Sequence, residues 1–275
     1  MTTARDIDTD TVQLLCCLDE NGVATITLNR PEVRNALSDE LTPALRRMIK
    51  KLGDRDDVGS LLITGAGTAF CAGGDVKGMG ASGNGPKRPE ADQVADLRER
   101  QRTLTGRLYH FPHPTIAALP GAAAGAGLAI ALACDLRLVA SSAFVTTGYA
   151  RVGLSGDYGL SWLLPRLVGA ARARELMFTG ERIDAERCLA MGIANHVVED
   201  NELAGEALAL ATSLACGPRK ALKLMKENLI DAATSEFFEA LDGEASRLVQ
   251  SAGTADHKEA VRAFIEKRDP NFQKS

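Results

Sequence analysis

Several classes of protein are excluded by what this sequence lacks. It has no uninterrupted apolar run near the roughly eighteen residues that a membrane-spanning helix needs. Its first residues, MTTARDIDTDTVQ, contain neither the basic region nor the apolar core of a signal peptide. We therefore expect a cytoplasmic protein.

Clusters of basic residues and paired cysteines are missing as well. The formal net charge is -4, and no stretch combines clustered basic residues with aromatic ones, so a nucleic-acid-binding surface is not expected. The six cysteines contain no C-x-x-C pair, and the four histidines show no metal-ligand spacing. We expect no metal site and six buried, reduced thiols.

The residues that are present indicate a large globular protein whose N-terminal and C-terminal parts show different patterns. Of its 275 residues 45% are hydrophobic and 25% charged, enough to bury a sizeable core. From about residue 12 to 145 short strand-like runs alternate with helical stretches, which predicts an α/β fold with largely parallel strand pairing. The predicted strands are 23–29, 59–65, 115–121 and 135–141, and a helix is predicted over 39–52.

After about Gly169 helical patterns take over, with one short strand expected within 194–200. We predict an α/β core over residues 1–200 and a helical region over residues 201–275, of the kind that packs against sister subunits. Residues 80–92 gather glycine, proline, asparagine and charge without periodicity, which predicts a mobile loop.

Two glycine-rich segments follow predicted strands. In LLITGAGTAFCAGGDVKGMG the dinucleotide-binding pattern fits poorly, because Phe70 stands at its third glycine position, so a dehydrogenase is only an alternative. The second segment, LPGAAAGAGLAIALACD, predicts a helix from Gly125 that is buried on every face. The free amides at its start need a partner, such as an anion or a developing oxyanion, unless the glycines serve close packing alone.

Four motifs, in this order and spacing, resemble the crotonase family of enoyl-CoA hydratases and isomerases. They are TAFCAGGDVK, LPGAAAGAGLAIALACDLRLVA, ARVGLSGDYGLSWLLPRLVG and AVRAFIEKRDPNF, and the resemblance extends from about Gln13 to Phe272. It implies a crotonase-type spiral of β-β-α turns with a helical C-terminal trimerisation region, and hence a homotrimer or a hexamer. It also implies an acyl-CoA thioester substrate, with coenzyme A as part of the substrate and no permanently bound cofactor.

The resemblance further implies an oxyanion hole, in which two backbone amides bind the thioester oxygen. By position these donors are Gly74, in AGGDVK, and Ala126, in AGAGLA. The family usually has glycine at the second position, and an alanine there narrows the acyl pocket without removing the amide. One such donor is typically worth roughly 3 kcal/mol of activation barrier.

A path for coenzyme A follows from the same resemblance. It places Arg34, Ala72 and Lys77 near the nucleotide and the pantetheine, and Phe264 and Lys267 at the CoA end, from the last helix of a neighbouring subunit. The alternative for these side chains is an ordinary solvated charge or a helix packing position.

Acidic residues are scarce where the hydratases of the family carry two glutamates. The corresponding positions hold Ala129 and Tyr149, and the only acids within 121–174 are Asp135 and Asp157. Addition of water needs both a base and an acid, so the sequence predicts a poor hydratase. In isomerases of the family an aspartate at the place of Asp157 carries a proton along the acyl chain.

The segment RVGLSGDYGLSW therefore decides the predicted function. We favour an enoyl-CoA isomerase that shifts a double bond by proton transfer next to a stabilised thioester enolate. The alternatives are an enoyl-CoA hydratase of fatty-acid β-oxidation and a non-catalytic acyl-CoA-binding protein. For Asp157 itself the alternative is a turn former in a glycine-rich loop.

Overall fold

The strands of this protein divide between two β-sheets. The structure is a computed structural model that describes residues 4–75 and 88–272. Its strands are β1 (Ala4–Asp6), β2 (Leu14–Asp19), β3 (Val23–Leu28), β4 (Ser60–Gly65), β5 (Ala69–Cys71), β6 (Thr115–Leu119), β7 (Ala122–Ala124), β8 (Leu136–Ala140), β9 (Phe144–Thr146), β10 (Ile183–Asp184) and β11 (His196–Val198). The larger sheet has the order β1-β2-β3-β4-β6-β8-β11, and the smaller sheet the order β10-β9-β7-β5.

Helices connect the strands and cover the sheets. They are α1 (Leu41–Gly53), α2 (Glu90–Gln101), α3 (Ala126–Ala133), α4 (Leu160–Val168), α5 (Ala170–Thr179), α6 (Ala185–Ala190), α7 (Leu203–Ala215), α8 (Arg219–Ala232), α9 (Phe237–Ala252) and α10 (Ala255–Glu266). A π-helical turn (Arg102–Gly106) and a last turn (Arg107–Tyr109) continue α2. None of the helices within the described ranges combines the length and the apolar character needed to cross a membrane.

Each turn of the chain gives one strand to each sheet and then forms a helix. β4 and β5 precede α2, β6 and β7 precede α3, and β8 and β9 precede α4. In the larger sheet β3, β4, β6 and β8 pair in parallel, because a helix returns the chain before each new strand begins. The predicted α/β fold with β-β-α turns and parallel pairing is confirmed.

The hydrophobic pattern explains why these elements form. β6, TIAAL, is buried at all five positions, as expected for a parallel strand covered on both faces. α1 buries Leu41, Leu45, Ile49 and Leu52, a spacing that places all four side chains on one face of a helix. Both elements contribute to a single hydrophobic cluster between the sheets and helices.

The C-terminal helices differ in what they pack against. α7 lies on the larger sheet, where the buried Ser60 hydroxyl donates a 2.9 Å hydrogen bond to the carbonyl of Ala211. α8 to α10 instead carry large apolar side chains with exposed fractions of 56% to 86%, namely Met225, Leu229, Phe237, Phe238, Leu248, Val249, Phe264 and Ile265. The division at residue 200 and the trimerisation role stay predictions.

Three details differ from the sequence-based predictions. Residues 90–92, predicted as the end of a loop, form the first turn of α2, whereas residues 76–87 lie outside the described residues. Residues 220–250 carry a continuous helical pattern that predicts one helix, but they form two, because a capping box of Glu236 and Glu239 starts α9 as a new helix. Cys17 and Cys216 are half-buried rather than buried.

Two glycines in the first turns of helices provide a first prediction. A Cβ atom added to Gly127 in α3 would lie 2.3 Å from the carbonyl oxygen of Cys71, whereas one added to Gly205 in α7 would meet nothing within 4 Å. Gly127→Ala should therefore destabilise the protein by about 1–3 kcal/mol, and Gly205→Ala should stabilise it by about 0.5–1 kcal/mol. Thermal unfolding of both variants measures this difference, and equal melting temperatures would contradict the close approach.

Candidate active site

The end of β5 and the first turn of α3 approach each other without intervening side chains. Gly73 has a φ of +88°, which favours glycine, and a Cβ added there would lie 2.8 Å from the carbonyl oxygen of Ala124. The same added atom would lie 3.6 Å from the amide nitrogen of Ala126. The segment that carries Gly74 is thus adjacent to the start of α3.

The amide of Gly74 points away from the neighbouring segment, which contains Leu37. In a parallel bridge between Leu37 and Gly74, the Leu37 amide donates to the carbonyl of Gly73 at 2.8 Å and its carbonyl accepts from the Asp75 amide at 3.2 Å. This register uses both polar groups of Leu37 and turns those of Gly74 to the opposite side. Within residues 4–75 and 88–272 no acceptor takes the Gly74 amide.

The amide of Ala126 is the first of a helix. Gly125 precedes it with a φ of +52°, and the first backbone bond that closes the helix runs from Ala129 to Gly125 at 3.0 Å. All residues of α3 are buried, so water does not surround this helix end. Amides in the first turn of a helix point outward along its axis and favour negative charge. The structure therefore brings together the two predicted donors, Gly74 and Ala126.

A strained loop holds the Gly74 segment in place. Asn35 is completely buried with a φ of +56°, and its amide group donates to the carbonyls of Ala66 at 3.0 Å and Ala69 at 2.8 Å. Next to it, the carbonyl of Arg34 accepts from the amide of Ala72 at 2.9 Å. The backbones of two predicted CoA-binding residues, Arg34 and Ala72, are therefore adjacent, and the Arg34 side chain is exposed.

The carboxylate of Asp157 is half-buried and paired. The hydroxyl of Tyr149 donates a hydrogen bond to its Oδ1. Burial raises the pKa of Asp157, and the hydrogen bond from Tyr149 opposes that shift. Burial, together with the charge of Asp157, also raises the pKa of Tyr149, which therefore stays protonated.

The ring of Tyr149 connects the acid to the start of α3. A Cβ added to Gly125 would lie 3.6 Å from the Cζ atom of this ring. Asp157 thus lies in the same region as the amides of Gly74 and Ala126, one aromatic ring away from the helix start. Sequence reasoning found Asp157 through the scarcity of acids but gave no partner for it.

The second acid of this part of the chain is structural. Asp135 accepts hydrogen bonds from the amide and hydroxyl of Thr115, at 2.7 and 2.8 Å, and from Lys226 at 2.7 Å. The Lys226 side chain is only 9% exposed, so this ion pair attaches α8 to the sheet where β6 and β8 begin. Because all of these contacts are structural, Asp157 is the acid available for chemistry within 121–174.

The two positions where hydratases of the family carry glutamate hold no acid. Ala129 is fully buried in the middle of α3, and Tyr149 is only 6% exposed. The phenol of Tyr149 is a hydrogen-bond donor to a carboxylate rather than a base for water. The arrangement therefore provides one carboxylate for proton transfer, next to two amides that have no acceptor among the described residues.

A cavity of about 440 Å³ adjoins the Asp157 loop and was not predicted from the sequence. Tyr158 and Gly159 line one side of it, and Tyr109 and Trp162 meet edge to face there with ring centroids 5.3 Å apart. Its residues come from α2, α4 and α8, which are distant in the chain.

Of the remaining predicted CoA-binding residues, Phe264 and Lys267 are not brought to this region within the described part of one chain. Lys77 lies outside the described residues. Phe264 is 86% exposed on α10, which packs mainly against α9, and Lys267 follows that helix with a φ of +55°. Their predicted role as residues of a neighbouring subunit is untested.

An ion-pair cluster on α10 fixes the segment around Lys267. Glu259, only 6% exposed, pairs with Arg262 and with Arg268, the latter at 2.6 Å, and accepts from the amide of Asn271 at 3.0 Å. The hydrogen bond from Arg268 is the main reason that the pKa of Glu259 falls to about 2. The carboxylate thus holds the last described residues against the helix.

Comparisons with known proteins agree with this geometry. The profile of the family described as Enoyl-CoA hydratase/isomerase matches residues 19–275. The chain is 38% identical over 253 residues to the 1,2-epoxyphenylacetyl-CoA isomerase of Escherichia coli, covering 92% of this chain and 95% of that protein. It is 34% identical over 256 residues to the trans-2-decenoyl-acyl-carrier-protein isomerase of Streptococcus mutans, covering 92% and 95%.

A solved structure provides the same result for the fold. The enoyl-CoA hydratase of Polaromonas sp. JS666 superposes with a TM-score of 0.85 at 33% identity and covers 98% of both chains. This chain therefore belongs to the enoyl-CoA hydratase/isomerase family. The resemblance to the crotonase family, the crotonase-type fold and the assignment to an acyl-CoA-processing enzyme are confirmed.

The Glu259 cluster generates a prediction about pH. The folded-state pKa of about 2 lies below the ordinary value of 4.5, so the cluster stabilises the end of the chain fully above pH 4.5 and loses this effect as pH falls toward 2. Amide protection at residues 266–272, measured as the exchange rate relative to that of an unstructured peptide at the same pH, should fall over that range, and Glu259→Gln should show reduced protection already at neutral pH. Exchange that is equally slow in the variant would disprove the role of the carboxylate.

Proposed function

We propose that this protein is an enoyl-CoA isomerase that moves a double bond along the acyl chain of a CoA thioester. The observation that carries the proposal is a single carboxylate, Asp157, in the region of two backbone amides that have no acceptor among the described residues, with no glutamate at either hydratase position. Two of the similar proteins described above are named isomerases, which agrees with this choice.

The chemistry follows from the groups in this region. Asp157 removes a proton from C2 of a 3-enoyl thioester, between the carbonyl and the double bond, and the electron pair forms a dienolate with its negative charge on the thioester oxygen. The amides of Gly74 and Ala126 stabilise that negative charge, because they are oriented before the reaction begins. The protonated Asp157 then returns the proton to a different carbon, so the reaction needs neither water nor a redox cofactor.

Coenzyme A enters the proposal as part of the substrate. We place it along the exposed Arg34 and the backbone of Ala72, whose amide is bonded to the Arg34 carbonyl. Lys77 and, from a neighbouring subunit, Phe264 and Lys267 complete the path. The protein needs no resident cofactor for this reaction, and we place it in the cytoplasm.

A hydratase remains the second candidate, because the similar Polaromonas protein carries that name. It would consume the conjugated enoyl thioester of crotonyl-CoA, which absorbance reports directly. The lack of acids at Ala129 and Tyr149 opposes this candidate. A non-catalytic binding protein would raise its melting temperature with acyl-CoA but convert nothing.

Substitution of Asp157 tests the proposal. Asp157→Asn keeps the size of the side chain but removes the basic oxygen, so isomerisation of a 3-enoyl-CoA should fall about a hundred- to ten-thousand-fold. The melting temperature should change little, because asparagine also suits a glycine-rich turn.

The turn-former interpretation predicts the same melting temperature but a different rate. If Asp157 serves only the loop, the asparagine variant keeps both its melting temperature and its full rate. Asp135→Asn is the matched comparison, because it weakens the contacts to Thr115 and Lys226 and should lower stability more than chemistry. Full activity in Asp157→Asn would contradict the assignment of Asp157 as the proton-transferring group.

We also propose that the exposed apolar face of α8 to α10 is covered by sister subunits in a homotrimer or a dimer of trimers. Leu229 on α8, Leu248 on α9 and Phe264 on α10 are each at least 69% exposed in the isolated chain, and so many large exposed apolar side chains on successive helices are typical of an interaction surface. An interface there would bring Phe264 and Lys267 to the CoA path of a neighbour.

This assembly has a direct measurement. Leu248→Asp places a charge on the exposed face and should shift sedimentation from the oligomer to the monomer, with weaker binding of CoA. Val12→Asp is the control, because Val12 is 80% exposed but lies outside the C-terminal helices. The proposal fails if the Leu248 variant sediments like the unaltered protein.

A further inference from the structure

The part of the chain around the candidate acid contains one contact that the proposed reaction has not yet used. The hydroxyl of Tyr149 donates to Oδ1 of Asp157, eight residues further along the chain. Among the residues that the structure describes, no other side chain is hydrogen-bonded to this carboxylate. Its second oxygen, Oδ2, is the one left for a substrate.

Several contacts fix the position of Tyr149 itself. It begins a short 3-10 helix (Tyr149–Val152) between Gly148, with a φ of +71°, and Gly153, with a φ of +69°. The amide of Leu154 donates to the Tyr149 carbonyl at 3.0 Å, which closes the loop. The side chain is only 6% exposed and therefore has little freedom to rotate.

The ring of Tyr149 is packed between two glycines of different elements. Added Cβ atoms would lie 3.6 Å from its Cζ atom at Gly125 and 3.9 Å from its Cδ2 atom at Gly156. Gly125 starts α3, and Gly156 directly precedes Asp157. The ring therefore sets the distance between the acid loop and the helix whose first amide, Ala126, is a proposed oxyanion donor.

We propose that Tyr149 is a positioning residue, which fixes one oxygen of the Asp157 carboxylate against the start of α3 and leaves the other oxygen oriented for proton transfer. The effect of Tyr149 on catalysis rests on the proposed isomerase function. The contact between Tyr149 and Asp157 does not depend on that function. Tyr149 does not exchange a proton with substrate. It holds the group that does.

Among the described residues, Tyr158 is the other ionisable group that influences this pair. Burial and the charge of Asp157 raise the pKa of Tyr158, whereas Arg100 of α2 and Arg46 of α1 lower it. The amide of Tyr158 donates to the side chain of Gln101 at 3.1 Å, which secures the other side of the loop. A change in the titration of Asp157 can therefore be assigned to Tyr149 by substitution.

Tyr149→Phe tests the proposal, since it keeps the ring and removes only the hydroxyl. A donor to the charged form of an acid stabilises that form, so its loss should raise the titration midpoint of Asp157 by roughly one to two pH units. Difference infrared titration of the carboxyl band, identified by its loss in Asp157→Asn, measures the midpoint without a substrate. Tyr158→Phe is the matched control, for which the midpoint of Asp157 should stay in place.

Kinetics provide the second measurement. For a 3-enoyl-CoA the acidic limb of kcat/KM should move upward with the midpoint, and kcat on the plateau should fall roughly ten- to a hundredfold with KM nearly unchanged. Melting temperatures of both variants confirm that they fold. A midpoint in Tyr149→Phe equal to that of the unaltered protein would overturn the proposal, even if isomerase activity is found.

The two proposals fail in different ways. If the unaltered protein isomerises no enoyl-CoA but the infrared midpoint moves in Tyr149→Phe alone, the isomerase function is wrong and the contact is real. If isomerisation is fast and neither the midpoint nor the rate responds to Tyr149→Phe, the positioning role is wrong. A shift that appears equally in Tyr158→Phe also contradicts it.

Discussion

The contact between the end of β5 and the first turn of α3 is the constraint on which the candidate active site depends. Backbone atoms meet there at distances that a methyl group would prevent, at Gly73 on one side and Gly127 on the other. Only this approach places the amides of Gly74 and Ala126 next to each other. Close packing therefore requires glycine in both segments. The same close packing orients the two amides as a pair of donors.

The same constraint determines the electrostatics of the region. The first turn of α3 begins in a buried environment with an amide, that of Ala126, which has no acceptor among the described residues, and the partial positive charge of a helix end is weakly screened there. The carboxylate of Asp157 lies one ring away, and burial already makes its charged form less favourable. A developing negative charge on a thioester oxygen would thus be met by amides, while the acid accepts the proton that accompanies it.

Much of the fold could be predicted from the sequence, but the candidate active site only in part. The strands with a clear hydrophobic run, such as β3, β4 and β6, were predicted within one or two residues. β5, β7 and β9 were missed, because three residues carry too little pattern to distinguish a strand from a loop. Together with β10, those strands form the smaller sheet, so periodicity alone did not reveal the second layer.

The residues of the candidate active site divide in the same way. Asp157 was singled out because acids are rare in that part of the chain, and the amides of Gly74 and Ala126 were located by the resemblance to the crotonase family. Tyr149 was identified only as a missing glutamate, since a hydrogen bond between two loops depends on how both fold. Ordinary helical and strand patterns contain no information about such a contact.

The distribution of successive strands over two sheets also has a kinetic consequence. Each parallel pair of the larger sheet joins strands that are separated by a small-sheet strand, a helix or both, so every pairing closes a long loop. Chains dominated by such distant contacts fold slowly. The segments around residues 73, 126 and 157 belong to three successive turns of the spiral. The residues of the candidate active site therefore come together only after the third of these turns has folded against the second.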